Sequence, residues 1–234
     1  MESLSVFRSE NKYRLSFSEA LSIQNRLSLI LDPDPYTQGK AYSVRSLYFD
    51  SLNSIDYATK LAGTEIRKKI RLRVYSPEEQ SCKLENKQKN GELQHKTSVV
   101  IAKADAMEMI DGNLSMLTKH FTESPALVDF YTTMMLGAYR PACMIEYQRV
   151  AYVYPMYHTR ITLDYCIRCS ESCFDLFSPQ IDYTDALCDE VVLEVKYDGK
   201  LMGFISDAIK PYHLVQTSTS KYCLGRKAYY DFLY

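Results

Sequence analysis

A chain of 234 residues is ample for a hydrophobic core and fits one large or two small domains. Hydrophobic residues make up 46% and charged residues 24%, the profile of a folded globular protein and not of a disordered one. The 28 Lys and Arg against 29 Asp and Glu leave a formal charge of −1, which excludes a whole-molecule pull toward nucleic acid or membrane. Any basic site must therefore come from local arrangement.

The opening Met-Glu-Ser-Leu-Ser lacks the basic and apolar regions of a signal peptide. No apolar run reaches the roughly 18 residues of a membrane span. Seven cysteines at irregular spacing favour reduced thiols over a disulfide framework. These features predict a cytoplasmic protein with no membrane segment in this chain.

In chain order, a strand is predicted over 5–15. Ser16 and Glu19 then form a capping-box pattern, and Ala20, Ile23, Leu27, Ile30 and Leu31 recur at helical spacing until Asp-Pro-Asp-Pro (32–35) stops the helix. Strands are predicted at 42–50, 68–76, 81–89 and 93–101, with a helix at about 54–61. Asn90-Gly91 is a tight-turn signal that pairs its two flanking strands antiparallel. Helices at 103–110 and 125–136 precede strands at 143–154, 159–168 and 190–197, and helices at 201–209 and 221–232 complete the series. No repeat, low-complexity tract or linker divides the chain, so 1–234 reads as a single domain. Strands without regular helical alternation predict an α+β fold with an antiparallel barrel or sheet.

Alternation then singles out charge. In 69–75, Ile70, Leu72 and Val74 share one face while Lys69, Arg71 and Arg73 share the other. Lys83, Glu85, Lys87 and Lys89 align in the same way, as do Arg8, Glu10, Lys12 and Arg14. Arg160, Thr162, Asp164 and Arg168 oppose Ile161, Leu163, Tyr165 and Ile167, and Glu194 and Lys196 oppose Leu193 and Val195. Such faces suit either the solvent side of a sheet or the inside of a closed antiparallel β-barrel with helices packed on the outside. Two like charges about 6 Å apart repel by roughly 3 kcal/mol at an effective dielectric of about 20. Facing rows of cations thus call for interleaved carboxylates or a bound polyanion, and five such strands favour the tunnel.

An ordered set of short motifs carries a family resemblance. It runs Arg8-x-Glu10-x-Lys12-Tyr13, Tyr48-Phe49-Asp50, Arg71-Leu72-Arg73, Glu85-Asn86-Lys87 with Asn90-Gly91 and Lys96, and Tyr147-x-Arg149-x-Ala151-Tyr152. It continues with Arg160-Ile161-Thr162-Leu163-Asp164, Leu193-Glu194-Val195-Lys196 and Ser220-Lys221-Tyr222. Together these resemble the VTC-domain polyphosphate polymerases of the triphosphate tunnel metalloenzyme (CYTH-like) superfamily, over about residues 5–225. The resemblance implies a tunnel whose Lys12, Arg71, Arg73, Lys87, Lys96, Arg149, Arg160, Lys196 and Lys221 grip phosphates, with Lys12, Arg71, Arg73, Arg149 and Arg160 at the catalytic centre. It implies Mn2+ or Mg2+ on Glu194, with Glu10 either joining the metal shell or balancing charge. Glu85 suits charge balance, Asp164 is open between the same two roles as Glu10, and Glu194 could instead partner a tunnel arginine. The implied substrates are ATP, triphosphate and polyphosphate, with no nucleic acid partner.

Two positions depart from the pattern. Phosphatases and cyclases of the superfamily begin with two glutamates before the lysine, and here the first is Arg8, which favours the polymerase branch. Ser218 stands where the eukaryotic relatives carry a second lysine. The rival readings are a triphosphatase of the same fold and a non-catalytic polyphosphate binder. Lys221 and Arg226 lie near the start of a helix whose dipole opposes their charge. Cys166, Cys169 and Cys173 do not complete a metal site, since alternation sends the first two to opposite faces. His95, His120, His158 and His213 show no metal spacing, and the 20 tyrosines fit half-buried strand positions.

Overall fold

The computed structural model describes residues 8–37, 40–91, 93–212 and 214–233, with the backbone alone for 8 and 230–233. Residues 5–7 of the predicted first strand, the Arg8 side chain and His213 lie outside the described residues. Strand β1 (Arg8–Ser16) runs directly into helix α1 (Phe17–Ser28). There the Ser16 hydroxyl accepts the Glu19 N–H while the Glu19 carboxylate accepts the Ser16 N–H at 2.8 Å, the predicted capping box. The order continues β2 (Asp32–Pro33), β3 (Tyr42–Asp50), α2 (Ile55–Leu61), β4 (Ile66–Val74), β5 (Ser81–Asn90) and β6 (Leu93–Ala102). Gly91, at φ 58°, makes the turn from β5 to β6. Helix α3 (Lys103–Ile110), a 3-10 turn (Leu114–His120) and α4 (Ala126–Leu136) lead into the long strands β7 (Arg140–Tyr154) and β8 (Thr159–Ser170). Then come β9 (Thr184–Leu187), β10 (Glu190–Asp198), α5 (Gly203–Ile209) and α6 (Lys221–Leu233). The sequence reading lacks β2, β9 and the 3-10 turn, which are too short or irregular to display a period.

The main sheet runs β1-β10-β8-β7-β3-β4-β5-β6, with antiparallel neighbours throughout. Its outer face is apolar and covered by helices. Leu72, Leu84 and Phe49 pack under α3, the 3-10 turn and α4 through Met109, Met116 and Phe130. Leu163, Leu193 and Val195 pack under α1 and α5 through Ile23, Leu27 and Ile205. On the inner face α6 inserts Tyr222 among Val44, Tyr48, Cys143, Ile145 and Ile167.

The sheet is strongly curled. β1 and β5 stand six places apart in the order, which at about 4.8 Å per strand would separate them by roughly 29 Å in a flat sheet. Instead Lys87 of β5 reaches Glu10 of β1 at 2.6 Å. The predicted closed barrel needs correcting, however: among the described residues no ladder joins β6 to β1. The outer edge of β1 is already occupied. The segment before α6 lies along it, with Tyr13 bridging to Gln216 and the Thr217 N–H donating to the Lys12 carbonyl at 2.7 Å. The opening is spanned by side chains, so the tunnel is an open sheet laced across.

Helix α6 approaches the inner face so closely that a Cβ on Gly225 would meet Ile145 Cδ1 at 2.3 Å and Cys169 Cβ at 2.9 Å. Alanine would raise helix propensity by about 1 kcal/mol, against an overpacking cost of about 1–3 kcal/mol. Gly225→Ala should therefore lower stability, seen as a reduced urea midpoint at an unchanged m-value. A raised midpoint would mean that α6 does not rest on this contact.

Candidate functional site

The inner face carries the predicted charged stripes in register. Arg71 stands opposite Glu85, and Lys69 opposite Lys87, which in turn faces Lys96. On the other wall Arg149 stands opposite Asp164, Glu194 opposite Thr162, Lys12 opposite Glu194 and Glu10 opposite Lys196. Three groups of opposite charge hold this face together.

Glu85 anchors the first. Its carboxylate accepts Arg71 Nε and Nη2, both at 2.7 Å, lies 3.7 Å from Arg73 Nη1 and pairs with Lys96. Arg71 also donates to the Tyr48 hydroxyl at 2.9 Å, and Arg73 to Ser46 Oγ at 3.3 Å. Burial pushes the Glu85 carboxyl up, but the three cations outweigh it and hold the group well below the usual carboxylate range.

Asp164, fully buried, anchors the second. Arg149 donates to it through Nε at 2.6 Å and Nη2 at 2.7 Å, and Lys221 of α6 approaches at 2.5 Å. Burial again acts upward, yet Arg149 and Lys221 bring its pKa down to about 2. Both cations lie over the Tyr147 ring, at 5.2 and 4.8 Å from its centre.

The third group joins β1 to β10 and β5. Glu10 accepts Lys12 at 2.8 Å and Lys87 at 2.6 Å, and Lys196 pairs with Glu194. Burial and the Glu194 charge raise Glu10, while Lys12, Lys196 and Lys87 lower it to about 2. Glu194 is held low against its burial by Lys196, Lys12, Lys221 and Arg149. Thr162 Oγ1, on the strand facing Glu194, is buried without a hydrogen-bond partner. Glu194 and the Thr162 hydroxyl opposite it, with Glu10 close enough to feel the Glu194 charge, offer oxygen donors of the kind Mn2+ or Mg2+ takes, whose remaining positions are normally filled by water and phosphate oxygens. Among the described residues no group of three His, Cys, Asp or Glu comes together as a fuller cage.

All nine predicted phosphate-binding cations thus face the lumen. Arg160 does so at one end, donating to Asp34 at 2.9 Å and to the Tyr42 hydroxyl at 3.2 Å. Asp34 is a member of the site that sequence reading used only as a helix stop. Lys69 is another: it shares the stripe but carried no assigned role. Its ammonium donates to Ser220 Oγ at 2.6 Å, and the same oxygen accepts the Cys223 N–H at 3.4 Å in the first turn of α6. A hydroxyl partner leaves the charge poorly compensated. Burial first, with Lys12, Lys60 and Lys87 adding to it and Cys223 opposing, lowers Lys69 to about 7.

Arg168 corrects the predicted stripe. A bulge at Cys166, whose φ is 50°, shifts the β7–β8 register between Glu146 and Gln148. Ile167 thereby turns inward against α6, and Arg168 turns outward to pair with Glu146. Arg14 pairs with Glu190 on an exposed edge, and Arg226 is buried against Glu171 at 2.9 Å. His95 is exposed on β6, while His120 lies by Asp105 and Glu123, and His158 by Asp198. Cys166 is exposed at the bulge, and Cys169 is buried against α6, so the alternation expected between them is broken by the bulge.

Comparison with known proteins places this geometry. The family model of the VTC domain matches residues 7–230. A candidate adenylate cyclase from Bacillus halodurans shares the fold at 13% identity and a TM-score of 0.50, over 94% of this chain and 96% of that one. A second candidate adenylate cyclase, from Vibrio parahaemolyticus, has 13% identity and a TM-score of 0.47 over 94% and 98%. A Pyrococcus horikoshii protein has 11% identity and a TM-score of 0.48 over 93% and 99%. No curated protein matches the chain significantly. No described helix is long and apolar enough to cross a membrane.

Lys69 gives this face a pH signature. An anion binds better to the protonated ammonium, so inorganic triphosphate affinity should fall as pH rises through about 7 toward the ordinary lysine value of 10.5. One linked proton sets a limit of about tenfold per pH unit. Calorimetry at pH 8 in buffers of different ionisation enthalpy should register proton uptake on binding, reduced in Lys69→Met. Equal uptake by the two proteins would remove Lys69 from the anion site.

Proposed function

The chain belongs to the VTC domain family, and from that membership and its lumen we propose that it is an ATP-dependent polyphosphate polymerase. A terminal oxygen of the phosphate chain attacks the γ-phosphorus of ATP. The bond from that phosphorus to the β–γ bridging oxygen breaks, and ADP leaves with the electron pair. The observation that supports this most is the lumen itself, where cations outnumber carboxylates yet are already paired and aimed.

Phosphoryl transfer asks a protein for positioning and charge neutralisation more than for a covalent nucleophile. Arg71, Arg73, Arg149 and Arg160 offer planar forks that take phosphate oxygens in pairs. Lys12, Lys87, Lys96, Lys196 and Lys221 are point charges on flexible stems, suited to successive phosphates of a chain that must advance. An entering phosphate competes with Glu85, Asp164, Glu10 and Glu194 for the same donors, so binding exchanges one set of charge-assisted bonds for another. Glu194 and Glu10, with the Thr162 hydroxyl opposite Glu194, would hold Mn2+ or Mg2+. Such an ion, when bound, neutralises phosphate oxygens as charge shifts toward the leaving group. Arg8, in place of the first glutamate of the hydrolytic branch, supports transfer to phosphate over transfer to water.

Purified protein given ATP and Mn2+ should yield ADP and an acid-insoluble phosphate polymer. Stoichiometric free phosphate without polymer would instead mark a triphosphatase, and triphosphate binding with no turnover a binding module. Glu194→Gln should cut turnover by about a hundredfold, the scale of losing one strong electrostatic contributor. Its triphosphate affinity measured without metal should hold or rise, because the lumen cations remain and one competing carboxylate is gone. Wild-type turnover by this variant at low Mn2+ would rule out Glu194 as a ligand.

A further inference from the structure

One end of the lumen is built from aromatic rings. Tyr36 stacks on Tyr75, with ring centres 5.3 Å apart and planes at 25°, and Tyr42 leans on both, at 6.3 and 5.9 Å. Tyr36 is 64% exposed. Beside it an open cavity of about 270 Å3 has Tyr36, Tyr75, Val100, Lys83, Arg73 and Glu79 among its lining residues. That is just below the small-molecule range of about 300–1,000 Å3, the size for a ring system and not for a whole nucleotide.

Two carboxylates fix this platform, and one of them also ties it to a lumen cation. Asp34 accepts the Tyr36 N–H at 2.9 Å through one oxygen and Arg160 Nε at 2.9 Å through the other. Glu79 accepts the Tyr75 and Ser76 N–H groups at 2.8 and 3.0 Å, which sets the turn carrying Tyr75. The platform is therefore pre-positioned, and its cavity opens onto Arg73.

We infer that this cavity is a subsite for the heteroaromatic base of a nucleoside triphosphate whose phosphates lie along Arg73 and the lumen. The inference rests on the polymerase reading for its choice of ATP. Stacking on tyrosine accepts any base, since every base has a π-face. The ring would enter beside Arg73 with Tyr36 as its exposed cover and Val100 as an apolar neighbour. A growing phosphate chain has no ring to offer, so the subsite would separate nucleotide donor from polymer.

The chain contains no tryptophan, so a single indole makes a clean reporter. Emission of Tyr36→Trp should be quenched by ATP and unaffected by inorganic triphosphate, both added without metal. Tyr36→Ala should lose about tenfold in ATP affinity, the scale of one base–aromatic stack, and keep its triphosphate affinity. Unquenched emission on ATP binding, or an equal loss for both ligands, overturns the base subsite while leaving the phosphate-binding lumen intact. Failure of the wild type to bind either ligand overturns the lumen reading, and the subsite with it.

Discussion

Asp164 sets the terms for the inner face. An isolated carboxylate taken out of water costs several kcal/mol, and this one is fully buried. It is tolerated because Arg149 and Lys221 meet it from a neighbouring strand and from the last helix. The same contacts keep two cations from repelling each other across the lumen. Glu85 and Glu10 repeat the arrangement on the other walls, each serving more than one cation. Since like charges at about 6 Å cost roughly 3 kcal/mol per pair at a dielectric of about 20, these carboxylates make a cation-lined interior compatible with a folded protein. They also hold the guanidinium and ammonium groups in place before any phosphate arrives.

Stability and chemistry occupy opposite sides of one sheet. The outer side buries Leu72, Leu84, Leu163 and Leu193 under helices. The inner side carries charge wherever α6 does not cover it. Helix α6 belongs to both tasks: Tyr222 and Gly225 lock it into the concave face, and its first residue, Lys221, completes the ion-pair group around Asp164.

Much of this was legible in the sequence because strand parity is unforgiving. Ile70, Leu72 and Val74 could not share a face with Lys69, Arg71 and Arg73, so finding the first set outside fixed the second set inside. The same parity failed at Arg168, because one bulged residue at Cys166 reverses every side chain that follows it. Closure was not legible either. The sheet stays open where residues 216 and 217 take a strand edge some two hundred positions earlier, and no local pattern announces such a contact. Asp34 was hidden for another reason. Its local role in a turn is obvious, and its partner Arg160 is brought to it only by the curl of the sheet.

The pairing of β1 has a consequence for how the lumen comes into being. One edge of β1 joins β10 and the other takes the segment before α6, with Lys12 and Thr219 in contact across 207 positions of chain. Contacts of that separation form late, because the entropy of closing the loop is met before they return anything. During synthesis the arginines of β4 therefore exist for some time as half of a hairpin, without the wall that faces them. A nascent chain in this state has scattered cations and no enclosed site. The lumen assembles only when the C-terminal helix is available to dock, so its charged interior begins with the completed fold.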